Sequence, residues 1–300
     1  MPAPFSRIAL IGFGEVGQTL GADLIAAGCQ VSAYDPLFAE PDSKPSTGLR
    51  SISATAENTP ATAVPDAELV ISAVTAAFDV DAARAVAPHL KSGTFYLDVN
   101  SVSPGTKVAC AQVIGNAGGR YVEAAVMTPI APKRIASAML LGGPHAGAFI
   151  ARARPLGFAG KVFAEEIGRA SATKMCRSVM IKGVESLLCE SLVAARHYGV
   201  EKTVLESLSD LLPVGDWEKV ASYMVSRALE HGIRRAEEMR EAAETVREAG
   251  IEPLMASATA GREEWAAQYS AAHVLRDNLA GMLDAMSTGN PGATKKGRAA

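Results

Sequence analysis

Two residue patterns in this chain have the types and spacing to do chemistry. The first is Gly12-Phe13-Gly14-Glu15-Val16-Gly17, a G-x-G-x-x-G turn, followed at some distance by an acid, Asp35. Arg7-Ile8-Ala9-Leu10-Ile11 before the turn reads as a short buried strand. Gln18 to Ala27 after it reads as an amphipathic helix stopped by Gly28, and Gln30–Tyr34 reads as a second strand that ends on Asp35. Strand, glycine turn, helix and strand-end acid together form a dinucleotide-binding fingerprint. Gly12 permits the tight turn. Gly14 lets the backbone approach a pyrophosphate seated on the amides of the helix start, and Gly17 lets helix and strand pack closely. Asp35 is placed to accept hydrogen bonds from a ribose diol. A carboxylate there repels a 2′-phosphate, and Pro36-Leu37-Phe38 brings no arginine to bind one, so the pattern favours NAD, with NADP as the alternative.

The second pattern lies at the ends of later apolar segments, where open α/β sheets bind their ligands. Val74-Thr75 follows one such segment, Asp98-Val99-Asn100-Ser101-Val102-Ser103-Pro104 the next, and Met127-Thr128-Pro129 the one after. The last strand leads to Gly168-Arg169-Ala170-Ser171-Ala172-Thr173-Lys174, the start of a long helical stretch. On spacing alone, a solvated or snorkelling lysine is the plainer reading of Lys174. Ser103 before Pro104 reads as a helix cap.

The elements that must hold these groups alternate. Strands are expected at Glu68–Val74, Thr94–Val99, Arg120–Val126, Ala138–Gly143 and Gly160–Phe163, with helices from about Val80 to Pro88 and from Ser103 to Ala117. Leu49-Arg50-Ser51-Ile52 suggests some extended structure within the polar, Pro- and Ser-rich stretch from Phe38 to Pro65. Such alternation makes a Rossmann-type doubly wound α/β domain with a mainly parallel sheet. The pattern changes near Glu165. Gly168–Tyr198, Glu201–Leu212, Asp216–Gly250, Pro253–Trp265 and a last segment to about Met286 read as helices. The expected organisation is therefore a dinucleotide-binding domain over 1–164, an all-α C-terminal domain over 165–286 and a disordered tail over 287–300.

Composition narrows the class. The chain has 300 residues, 48% hydrophobic and 20% charged, as in an ordinary soluble globular protein with room for two cores. A net charge of −3 gives no electrostatic case for nucleic acid, and no apolar run reaches membrane-spanning length. Cys29, Cys110, Cys176 and Cys189 form no C-x-x-C pair and read as reduced, buried thiols of a cytoplasmic enzyme without a signal peptide. Abundant alanine and 5% aromatics suit helices packed through small residues. The mixed-sign run Arg234–Glu248 reads as a solvated helix face or a subunit rim.

On Ile8–Asp35, Asp98–Pro104 and Gly168–Leu192, the last with G-x-x-x-x-x-K at Gly168 and Lys174, the chain resembles the β-hydroxyacid dehydrogenase superfamily, in particular its phosphogluconate dehydrogenase-like branch. The resemblance implies that Lys174 is the catalytic acid/base, hydrogen-bonded to the substrate hydroxyl, and that Asn100 and Ser101 belong to the substrate loop. It implies a homodimer or homotetramer that transfers a hydride between the nicotinamide and the alcohol carbon of a 3-hydroxy acid or a related polar alcohol, with the C-terminal helices closing the cleft. Arg177, one turn on, is a candidate for lowering the lysine pKa or gripping a substrate carboxylate, against the plain reading of a surface charge. Departures are equally informative. Met127-Thr128-Pro129 replaces a Ser-Gly-Gly run, Ser178 stands where relatives carry Asn, and His231-Gly232 stands where they carry Lys-Asp. Thr128, Ser178 and His231 are accordingly candidate substrate contacts. The rivals are an imine reductase, which usually lacks the helix lysine, and a non-catalytic NAD(H)-binding module.

Overall fold

The computed structural model of the chain describes residues 2–208 and 215–287. Within them the chain divides into two compact units, one ending at Met175 and the other beginning at Cys176.

The first unit is built on a single eight-stranded sheet. Its strands are β1 (Arg7–Ile11), β2 (Gln30–Tyr34), β3 (Thr55–Glu57), β4 (Leu69–Ser72), β5 (Phe95–Asp98), β6 (Arg120–Val126), β7 (Met139–Gly142) and β8 (Gly160–Ala164), ordered β3-β2-β1-β4-β5-β6-β7-β8. Neighbours are parallel except β6 and β7. The helices between them are α1 (Glu15–Ala26), α2 (Lys44–Leu49), α3 (Pro60–Ala63), α4 (Asp79–Val86), α5 (Pro104–Asn116), α6 (Ile130–Lys133) and α7 (Ala146–Ala153). The expected extended segment at 49–52 is instead the end of α2 and the turn after it. Ser43 caps α2 and Pro45 opens it, and the extra edge strand β3 forms further on.

Period-two alternation in the central strands decides what each face of the sheet carries. Leu10, Leu69, Ile71, Phe95, Leu97 and Val122 point to one core, which includes Phe13, Leu20 and Phe149. Ala9, Ile11, Val70, Tyr96 and Tyr121 point to the other, packed with Ala83, Val86, Cys110 and Ile114 of α4 and α5. The same parity puts Ser72, Asp98 and Glu123 on this second face. The strand register aligns them, Ser72 with Asp98 and Asp98 with Glu123, in one row across β4, β5 and β6. All three are buried.

Then come α8 (Arg169–Tyr198), α9 (Glu201–Leu208), α10 (Trp217–Glu248), α11 (Leu254–Ala267) and α12 (Leu279–Ser287). The expected residues 209–212 of the α9 segment and the tail beyond 287 lie outside the described residues. The division between units falls within α8, at 175/176 instead of 164/165, because the first turns of α8 bond to the sheet unit, as described below. The helical unit has its own core, including Leu188, Leu192, Trp217, Val225, Leu229, Met282 and Leu283. Alanines 236, 243, 256 and 260 are buried on α10 and α11. A Cβ on Gly232 would meet the Glu263 carbonyl at 2.4 Å, so this pair of helices needs its small residues.

Two further expectations are corrected. Cys176 is exposed, unlike Cys29, Cys110 and Cys189, because it falls on an outward position of α8. The run Arg234–Glu248 is not a wholly solvated face. Arg235 is buried against Glu185 and 3.9 Å from Glu263, and Glu238 pairs with the buried Lys182. Among the described residues, no helix is long and apolar enough to cross a membrane.

Candidate active site

The glycine turn connects β1 to α1, and its three glycines do three different jobs. Gly12 has φ +91°, and a Cβ there would lie 2.4 Å from the Ala73 carbonyl oxygen. Gly17 would clash with the Gly12 carbonyl oxygen at 2.3 Å. Gly14 has nothing within 4 Å of its Cβ position, so its open side is where a ligand can approach the backbone. Gly14 caps α1 without a side-chain hydrogen bond, and Glu15 and Val16 follow in the first turn. A helix start with no side-chain cap bond and an open glycine suits a pyrophosphate. Gln18 braces the turn by donating to the Phe13 carbonyl at 2.9 Å.

Asp35 follows β2, as expected. Its Oδ2 accepts from the Phe13 N–H at 2.8 Å and its Oδ1 from the Leu37 N–H at 2.9 Å. The carboxylate therefore ties the glycine turn to the end of β2, and each oxygen keeps a lone pair for a ribose hydroxyl. Val74 is half-buried beside Gly12, and Thr75 is exposed at the head of the turn that leads into α4. These residues fit a bound dinucleotide.

The second part of the site lies beyond β5. Ser103 caps α5 through the Thr106 N–H at 3.3 Å, with Pro104 at the first helical position. The cap fixes the far end of the segment 99–103. In that segment, the Ser101 hydroxyl meets the Lys174 ammonium at 2.5 Å. Lys174 is half-buried on α8. Two contacts aim the helix. The Glu123 carboxylate accepts from the Gly168 N–H at 2.7 Å and from the Ser171 N–H at 2.5 Å. The Ser171 hydroxyl donates to the Val102 carbonyl at 3.0 Å. A carboxylate on the amides of a helix start satisfies orphan donors and complements the helix dipole. Burial pushes the Glu123 carboxyl upward, against the two amide bonds and the nearby Lys107, which favour its charged form. Gly142 faces this carboxylate on β7, where a Cβ would meet it at 2.5 Å. The signal for Glu123 in the sequence is an acid inside Tyr121-Val122-Glu123-Ala124-Ala125, an unusual residue for a buried strand.

Asn100 is placed differently from expectation. It is buried, and its amide donates to Ser72 Oγ at 2.9 Å and to Asp79 Oδ1 at 2.7 Å. With both donor bonds turned into the protein, Asn100 holds the loop, while Ser101 presents the hydroxyl. Thr128 is exposed in the turn after β6. Arg177, Ser178 and His231 belong to the helical unit. Arg177 is exposed, as a surface charge would be, and Ser178 is buried on α8. His231 is half-buried on α10, with Nε2 3.1 Å from the carboxylate of the adjacent Glu230.

Fold and site together define a dinucleotide-binding α/β protein with an all-helical second unit. Residues 7–156 match the model of the NAD binding domain of 6-phosphogluconate dehydrogenase, and residues 195–266 match a domain of unknown function, DUF1932. The chain is similar to a conserved hypothetical protein from Sinorhizobium meliloti, at 34% identity over 94% of this chain and 96% of that one, with a TM-score of 0.74. It is similar to the conserved protein MTH1747, described as resembling 3-hydroxyacid dehydrogenases, at 30% identity over 90% and 98% of the two chains, TM-score 0.69. It shares the fold of the Mycobacterium tuberculosis 3-hydroxyisobutyrate dehydrogenase at 19% identity, over 93% and 98% of the chains, TM-score 0.70. The chain belongs to the β-hydroxyacid dehydrogenase superfamily, with its nicotinamide-dinucleotide-binding domain and helical C-terminal region.

Proposed function

We propose that the protein transfers a hydride between a nicotinamide dinucleotide and the alcohol carbon of a 3-hydroxy acid or a related polar alcohol, with Lys174 as the general acid/base. The contact between Lys174 Nζ and Ser101 Oγ, 2.5 Å apart beyond the sheet that carries the glycine turn, is the observation that carries this reading. A bound nicotinamide supplies the hydride acceptor or donor. In its neutral amine form Lys174 takes the hydroxyl proton as the alcohol carbon is oxidised, and as the ammonium it returns that proton in reduction. Ser101 accepts from the ammonium and donates to an oxygen, so it can orient both Lys174 and the substrate hydroxyl. Asp35 supports NAD as the preferred dinucleotide, because a 2′-phosphate would sit against a carboxylate. Retention of Lys174 weighs against imine reduction and against a purely binding role.

The substrate pocket departs from that of a glycine-rich relative. Pro129 has no N–H to offer a carboxylate, and Thr128 puts a side chain with a hydroxyl where the relatives carry a bare glycine. This disfavours 6-phosphogluconate as substrate. A spectrophotometric screen of hydroxy acids, sugar acids and polar alcohols with NAD and NADP in parallel tests the reading. Turnover with NAD of at least one hydroxy acid is expected. Turnover of cyclic imines alone would overturn it.

A further inference from the structure

Beneath the Asn100–Ser101 segment lies a buried polar cluster that hydride transfer does not use directly. Asp79, the first residue of α4, is fully buried. Its Oδ1 accepts from the Asn100 amide at 2.7 Å, while its Oδ2 is buried without a hydrogen-bond partner. The Asn100 backbone N–H donates to Asp98 Oδ1 at 2.9 Å. Asn100 therefore bridges two carboxyl groups, Asp79 through its side chain and Asp98 through its backbone. Asp98 is fully served, by the Lys107 ammonium at 2.6 Å and the Tyr121 hydroxyl at 2.6 Å. Asp79 has no counter-charge of its own. An oxygen of each aspartate and the Cys110 sulfur lie within 4.8 Å of one another, all buried. A metal ion there would have to displace the Lys107 ammonium, so the cluster's positive charge is already a side chain.

We propose that Asp79, in its neutral form, is a positioning residue: it holds Asn100, and through it Ser101, where Ser101 meets Lys174. This rests on the hydride-transfer reading above. A neutral carboxyl can sit beside the Asp98 carboxylate. An ionised one is repelled by it, and separating the two acids pulls on the residue tied to both. Ser101, next in the chain, moves with Asn100. Burial and then the Asp98 charge push the Asp79 carboxyl up to about 7, against Lys107 and the Asn100 bond. Tyr96 and Tyr121 from β5 and β6 and Cys110 from α5 also face it. Burial first and the two aspartates next push all three upward, so they stay neutral. Glu123 stands in the same sheet row beyond Asp98. The Ser101–Lys174 contact is therefore intact below about pH 7 and loosens above it.

The test is Asp79→Asn and Asp79→Ala in the full chain, with kcat/KM for the best hydroxy acid followed from about pH 5 to about pH 9. The wild-type profile carries a fall near neutral pH. Asp79→Asn, which keeps the acceptor and cannot ionise, keeps the low-pH value within about threefold and lacks that fall. Asp79→Ala loses about tenfold or more through KM with NADH affinity unchanged, because it leaves the Asn100 amide short of an acceptor. A profile of Asp79→Asn that overlies wild type, or an Asp79→Ala variant as active as wild type, overturns the proposal. The labelling rate of Lys174 by an amine reagent, read by peptide mass spectrometry, reports on the same contact without turnover. The ratio of wild-type to Asp79→Asn rates is expected to step near pH 7, and a flat ratio overturns the proposal even where no hydroxy acid is turned over. Absence of turnover alone counts against the hydride-transfer reading.

Discussion

On the proposed hydride transfer the chemistry turns on Lys174 and Ser101, and the two are legible in the sequence to different degrees. A lysine in the early turns of a helix is ambiguous by spacing, since most such lysines are solvated. Resemblance made it a candidate, and the 2.5 Å contact to Ser101 gives it a partner. Hydrogen bonds to charged groups contribute about 1.5–3 kcal/mol. Ser101→Ala is therefore expected to lower kcat/KM by about tenfold or more at unchanged NADH affinity, measured by initial rates and fluorescence titration. Asp35 carries a second residue-scale prediction. Asp35→Ser removes the carboxylate that stands against a 2′-phosphate, so the NADH-over-NADPH affinity ratio should fall by about tenfold. An unchanged ratio in parallel titrations would show that discrimination lies elsewhere. Asn100 was legible as a site residue but not as one turned inward, because the residues that capture its amide, Ser72 and Asp79, come from other elements.

At the scale of elements, α8 carries Lys174 and starts on the sheet unit. Its start is held by a strand acid, Glu123, whose oxygens take two backbone amides of the helix entry. Glu123→Ala leaves those amides without their acceptor inside the protein, at a cost of about 2 kcal/mol or more. Thermal unfolding should show that loss, and activity should fall with it at saturating NAD because Lys174 sits on the same helix. Glu123→Gln keeps one acceptor and should recover part of both. The strands, the glycine turn and the long helices were readable from periodicity and glycine placement, because burial on one or both faces leaves a direct mark on residue type. Short elements were not. Leu49-Arg50-Ser51-Ile52 has the apolar content of a strand, yet the Ser43 cap and Pro45 settle the preceding residues as helix. The polar row Ser72–Asp98–Glu123 was not readable either, since it exists only once the register of three strands is set.

For the whole molecule, charge is buried in both units, and this affects stability. In the helical unit, Glu263 is fully buried near Arg235, and burial pushes its carboxyl up to about 7 despite Arg235 and Lys182. A carboxyl whose folded pKa is raised binds more protons folded than unfolded between its ordinary value and about 7. Its contribution to stability is therefore lost as pH rises through that window. The loss amounts to about 3 kcal/mol at most. Glu263→Gln should remove this part of the pH dependence in denaturant unfolding of the full chain, and identical wild-type and variant curves from about pH 5 to about pH 8 would contradict the assignment. Within Arg234–Glu248 the sequence suggests a solvated helix face or a subunit rim, because mixed charges at helical spacing look the same whether a partner helix covers them or not. On the proposed function, the site as a whole passes hydride between a nicotinamide and an alcohol, with Lys174 moving the proton. The most direct measurement is NADH formation from a panel of 3-hydroxy acids by wild type and Lys174→Ala side by side, with NADH affinity measured on both. Turnover by wild type, a loss of at least ~10²-fold in the variant and unchanged cofactor affinity are expected. Variant turnover within about tenfold of wild type, or none by wild type across the panel despite NADH binding, would contradict it.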